Sequence, residues 1–252
     1  MQASDYSILA TSERSRETAA FWRGQVAGIE PVAGIPEPGP ARSPAARRSI
    51  DVAPGPQGRA ALDRLARDDA GRFTVLTAAV ALALCRYFNR DRVLLRTPPM
   101  AGEDTPLNDE RGVPLVFDTA AGLRLRDFLQ AAARVIEESY AQQDFPIGTL
   151  CRQERGVDLA ALAPFSLSGR ALHDAPPEPP APIHFHLDDL DAGGIRIDFD
   201  PSAVEPFLVE GLAPVLTSIV DSFADLSAAV DDLERLPADQ RARLAVDWER
   251  AA

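Results

Sequence analysis

The chain has 252 residues with 26 basic and 38 acidic side chains, a net charge of −12, and every basic residue is an arginine. Arginine stays protonated near neutrality, so lysine Schiff-base chemistry and a P-loop lysine are excluded. The acidic balance argues against a general nucleic-acid or anionic-membrane binder, and 46% apolar with 25% charged residues is ordinary globular composition.

Thr11 to Gly28 reads as an amphipathic helix with Phe21, Trp22 and Val26 on its apolar side. Ile29 to Arg47, rich in Pro, Gly and Ala, reads as an extended connector. Ser49 to Ala53 suits a strand, and Gln57 to Ala70 has helical spacing through Leu62 and Leu65. Phe73 to Phe88 is apolar almost all round and belongs in an interior. Its apolar run, Val75 to Cys85, is well short of the roughly 20 residues of a membrane span, and the N-terminus lacks a signal pattern; the expected address is the cytoplasm.

Arg92 to Thr97 and Val113 to Thr119 read as strands, and Arg124 to Gln143 as a strongly amphipathic helix. Pro164 to Leu167 suits a short strand. Ile183 to Asp188 and Ile195 to Asp200 flank Ala192-Gly193-Gly194 as a β-hairpin. Ser202 and Glu205 have capping-box spacing ahead of a long helix that Pro214 should kink, and Pro237 opens a final helix with Leu244 and Trp248 on one side. The interleaving predicts one α/β unit, a mixed sheet flanked by helices.

Few groups suggest chemistry. Cys85 and Cys151 form no C-x-x-C pair, which excludes a disulfide framework or a cysteine-rich zinc site. His184 and His186, two apart with Asp188 beyond, would share one strand face and resemble a metal-ligand pattern, yet Phe185 and Leu187 alternate with them as in any half-buried strand. The expectation is a wet hairpin face. The acidic cluster Asp188, Asp189, Asp191, Asp198 and Asp200 lacks EF-hand spacing and reads as charge that discourages edge pairing. Phe165-Ser166-Leu167-Ser168-Gly169 lacks the first glycine of a nucleophile elbow, and no histidine is placed by sequence to serve it. Neither nucleotide-binding glycine motif occurs, and no cofactor or metal is expected.

Four stretches resemble one family in its order. Phe73 to Phe88 followed by Val93-Leu94-Leu95-Arg96-Thr97-Pro98 resembles the central helix and strand of nonribosomal peptide synthetase condensation domains ("ALLLSRYSG…DIVVGTP"). Ser139 to Pro146, with Tyr140, Gln143, Asp144 and Pro146, is similar to "AYAHQDLPFE". Phe21 to Gly28 resembles the "YWREQLAG" helix that opens the family's C-terminal half. Leu233 to Arg250 resembles the segment leading into a following adenylation domain.

The resemblance implies one lobe of the chloramphenicol acetyltransferase-like fold over residues 1–236 and a linker over 237–252. The family's HHxxxDG motif, whose second histidine is associated with amide formation, belongs to the N-terminal lobe and does not occur in this sequence. The family's "GTPvaGR" is replaced by a stretch through Met100 that lacks the arginine, and "IGFFVNT" by one with Asp118 at the asparagine position, as expected of vestigial tunnel loops.

The expected role is therefore a non-catalytic module docking onto a downstream adenylation domain, a carrier protein or a tailoring enzyme. Trp248, Arg243 and Leu244 are its candidate interface, although Trp248 equally suits capping the module's own core. The alternatives are half of an amide-forming enzyme completed by a separate HHxxxDG lobe, and a stand-alone acyltransferase, which would need a metal at His184 and His186.

Overall fold

A computed structural model describes residues 13–30, 35, 47–100, 112–173, 181–190 and 193–233. The elements are α1 (Glu13–Val26), β1 (Arg48–Val52), α2 (Pro56–Leu65), α3 (Asp69–Tyr87), β2 (Arg92–Thr97), β3 (Val113–Asp118), α4 (Leu125–Ala141), α5 (Ile147–Arg155) and α6 (Leu159–Leu162). Then come β4 (Phe165–Gly169), β5 (Ile183–Leu190), β6 (Gly194–Phe199), α7 (Pro206–Ser222) and a 3₁₀ turn (Val230–Asp232). Six strands form one mixed sheet in the order β1-β6-β5-β4-β2-β3, with β2, β4 and β5 parallel neighbours. The expected mixed sheet flanked by helices is present.

Alternation sorts the strands onto two faces. On the first, Leu95, Phe165, Ile183, Phe185, Leu187, Ile197 and Phe199 pack against α2, α3, α4 and α7 in the main core. α3 is the central helix of that core. By length and composition it is the one described helix that reaches the size of a membrane span, yet twelve of its side chains are buried within the molecule. On the second face, Leu94 and Val116 meet Trp22 and Val26 of α1, Ile147, Leu150 and Cys151 of α5, and Leu159 of α6 in a separate cluster. Pro114 sits in β3, the last strand in the sheet order, a position that tolerates a residue without an N–H.

Helix boundaries follow local chemistry. The boundary between the helices expected over 57–70 and 73–88 falls earlier, at 66–68: Ala66 takes an extended conformation, and the Asp68 carboxylate accepts from Gly71 N–H at 2.7 Å to start α3. The expected capping box at α7 is absent. Ser202 instead donates its hydroxyl and its backbone N–H to Asp200 Oδ1 (2.6 and 2.8 Å), and the helix opens at Pro206 behind Glu205, which makes no side-chain cap. α7 runs through Pro214 as one element. The helices α5 and α6 were not anticipated; both are short and their apolar spacing is sparse. The expected helix after Pro237 lies outside the described residues.

Candidate functional site

Strand register lines up polar side chains on the second face. Arg96, Ser166, His184, Asp198 and Ser49 are successive register partners across β2, β4, β5, β6 and β1. The next row carries Ser168, His186, Arg196 and Asp51. Ser166 Oγ lies 2.7 Å from His184 Nδ1 and Ser168 Oγ 2.9 Å from His184 Nε2. His186 Nε2 pairs with Asp198 Oδ2 at 3.0 Å, and Ser49 donates to Asp198 Oδ1 at 2.7 Å. Arg196 pairs with Asp51 at 3.0 Å. Arg47 donates to the carbonyls of Ala181 and Asp198, tying the start of β5 to β6.

This ladder corrects two expectations. The hairpin's polar face is not simply wet: His184 is 4% exposed, and His186 is half-buried with its ring centroid 4.3 Å from that of His184. Nor do the serines of β4 lack a histidine, since His184 lies between them. Burial, helped by His186, Arg47 and Arg96, pushes the His184 imidazole down to about 2, so proton uptake near neutrality is strongly disfavoured. Both of its nitrogens already face serine hydroxyls. Among the described residues no group of three His, Cys, Asp or Glu side chains could hold a metal. Burial also lowers Arg96, to about 10. The side chains of Asp188, Asp189 and Asp191 lie outside the described set.

The family-like residues gather at the C-terminus of α4. Tyr140 Oη lies 2.9 Å from Thr97 Oγ1 and 2.9 Å from His173 Nε2, and burial raises its phenol further above the ordinary range. Gln143 Oε1 accepts from Met100 N–H at 2.8 Å. Asp144 is exposed, and Pro146 immediately precedes α5 without a side-chain cap. Of the two tunnel-loop candidates, Met100 follows the carboxyl end of β2, whereas Asp118 sits at the far end of the β2–β3 pair, bridged to Arg92 at 3.3 Å. The fold does not bring them together.

A pocket of about 200 Å³ near that far end is lined by Cys85, Arg86, Asn89, Asp91, Thr119 and Asp231. Burial pushes the Cys85 thiol up to about 12, which suits a packed side chain rather than a nucleophile. Trp248, Arg243 and Leu244 lie outside the described residues.

No family model matches the chain. It is 25% identical over 231 residues to one of the subunits of linear gramicidin synthase from Brevibacillus parabrevis, a match covering 86% of this chain and 4% of that protein. The starter condensation domain of rhizomide synthetase RzmA superposes with a TM-score of 0.62 at 16% identity, covering 92% of this chain and 57% of the domain. A four-domain nonribosomal peptide synthetase, holo-AB3403 bound to AMP and glycine, gives 0.68 at 15% identity, covering 91% and 21%. The X-domain in its complex with OxyB from teicoplanin biosynthesis gives 0.61 at 20% identity, covering 94% and 61%. The chain thus spans a small fraction of the gramicidin synthase polypeptide and little more than half of the starter domain. It is a homologue of a linear gramicidin synthase subunit, and its fold is that of about half of a condensation domain.

Proposed function

We propose that this chain is a non-catalytic, cytoplasmic condensation-type module that holds a neighbouring adenylation domain, carrier protein or tailoring enzyme in place. In this reading residues 1–236 form the module and 237–252 lead toward the adenylation domain, with Trp248, Arg243 and Leu244 as the anchor. The carrying observation is the state of the three histidines. His184 is enclosed between two serines, His186 is paired with Asp198, and His173 accepts from Gly169 N–H while facing Tyr140. Amide formation calls for a placed base or a charge-stabilising group at the reacting nitrogen, and these rings are engaged elsewhere. The X-domain–OxyB complex supports the reading, because there a related fold meets a protein partner.

Surface plasmon resonance with the immobilised adenylation domain from the same source tests it. The expected result is saturable binding with a Kd of about 10 μM or tighter, weakened roughly tenfold by Trp248→Ala. Equal affinity after that substitution would remove the anchor, and absence of binding to adenylation domain, carrier protein and tailoring enzyme alike would remove the docking role.

Coverage of 57% of a starter condensation domain favours a second reading, in which a separate HHxxxDG lobe completes an amide-forming enzyme. Product formation on adding such a lobe separates the two.

A further inference from the structure

Residues 140–143 close α4 and meet three other parts of the molecule. The Gln142 carbonyl accepts from Trp22 Nε1 at 3.3 Å, and its Oε1 accepts from the Thr18 hydroxyl at 2.8 Å, so this residue seats α1. Gln143 Oε1 holds the Met100 amide just beyond β2. Tyr140 reaches Thr97, Pro98 and His173, and His173 belongs to the turn that follows β4. Because Gly169 N–H donates to His173 Nδ1 at 3.0 Å, the ring proton lies on Nε2 and points at the Tyr140 oxygen. The tyrosine hydroxyl is then left to donate toward Thr97 or Pro98.

The turn is tied together by its own backbone. Gln142 N–H bonds to Ser139 O, Gln143 N–H to Tyr140 O, and Phe145 N–H to Gln142 O, each at 3.2 Å. Contacts of this kind fail when donor and acceptor separate by well under an ångström, so a shift at Gln142 is felt at Gln143 and Tyr140.

We infer that residues 140–143 couple the seating of α1 to the positions of the segments leaving the carboxyl ends of β2 and β4. A partner that displaces α1 therefore moves those segments, and whatever fixes the segments steadies α1 to the same degree. The carboxyl ends of parallel strands are where an open α/β sheet presents its ligand-facing loops, which gives the coupling a place to act. This goes beyond the docking reading and stands under either functional assignment.

Amide hydrogen exchange on the full chain tests it. Thr18→Val with Trp22→Phe removes both donors to Gln142 and keeps most of the bulk. The expected result is roughly fivefold faster exchange at Met100 and Gly169, with Phe185 and Ile197 in the sheet unchanged. Reciprocally, Gln143→Ala speeds exchange at Val26 by a similar factor. Unchanged exchange at Met100 and Gly169 in the folded double variant overturns the coupling. If the double variant loses protection throughout, Thr18→Val alone decides by the same comparison.

Discussion

At the scale of the residue, the absence of lysine is matched by a consistent use of arginine. Arg155 donates from two nitrogens to the carbonyls of Val26, the last residue of α1, and Ile29 just beyond it (2.8 and 2.7 Å). Arg64 reaches Phe223 and Ala224 beyond α7, and Arg86 reaches the carbonyls of Asp231 and Leu233. A planar guanidinium suits several fixed carbonyls at once, and its charge complements a helix C-terminus. His184 carries the clearest pH consequence. Its native value is near 2 against an ordinary 6.5, so between those values the unfolded chain takes up a proton that the folded chain refuses. Stability attached to this group is complete above about pH 6.5 and falls as pH drops, by about 1.4 kcal/mol per unit. Urea midpoints between about pH 6.5 and 5 should therefore decline in the wild type and flatten in His184→Gln; an identical decline in both would contradict the assignment.

At the scale of the element, caps drawn from distant parts of the chain hold the helices. Asp221 of α7 accepts from Gly58 N–H at 2.9 Å at the start of α2, and a Cβ at Gly55 or Gly58 would overlap its carboxylate. Asp221→Ala should cost about 1–2 kcal/mol, read as a lower urea midpoint, while Asp221→Asn should recover part of it. No change in the alanine variant would show that the cap carries no weight. Such caps explain which elements were legible. α3, α4 and the β5–β6 hairpin have long or strictly alternating patterns that survive any context. The start of α3, four residues earlier than the apolar run shows, turned on one side chain, Asp68, and the start of α7 on whether Ser202 bonded forward or back to Asp200. α5 and α6 are too short for their spacing to register, and they owe their place to the second apolar cluster.

At the scale of the whole molecule, the described helices form separate apolar clusters on the two faces of the sheet. Among the described residues its first face carries one continuous core, whereas α1, α5 and α6 pack at the β2–β3 end of the second. Trp22, 1% exposed, is the largest side chain of that smaller cluster. Trp22→Ala should cost about 3–5 kcal/mol and speed exchange across α1 and α5 before it affects β5 and β6. Uniform loss of protection would show instead that the two clusters unfold as one.

The division into two faces explains what the sequence could say about the site. Strand alternation placed His184 and His186 on one face, but not whether that face was covered or which strand lay beside it. The pairing of β4 with β5 brings Ser166 and Ser168 against His184 across 16–18 residues of chain, and no local pattern encodes that meeting. The resemblance around Tyr140 and Gln143 identified the family-like turn; the structure adds its contacts to α1, Met100 and His173.

The proposal that the chain takes no catalytic part is tested most directly by mass-spectrometric detection of dipeptidyl thioester. The chain would be incubated with a separately folded HHxxxDG-bearing lobe and two loaded carrier proteins. The account predicts no product above the rate without the chain, and no effect of His184→Gln or His186→Ala on that baseline. Product that requires the chain, and that falls when either histidine is replaced, would contradict it.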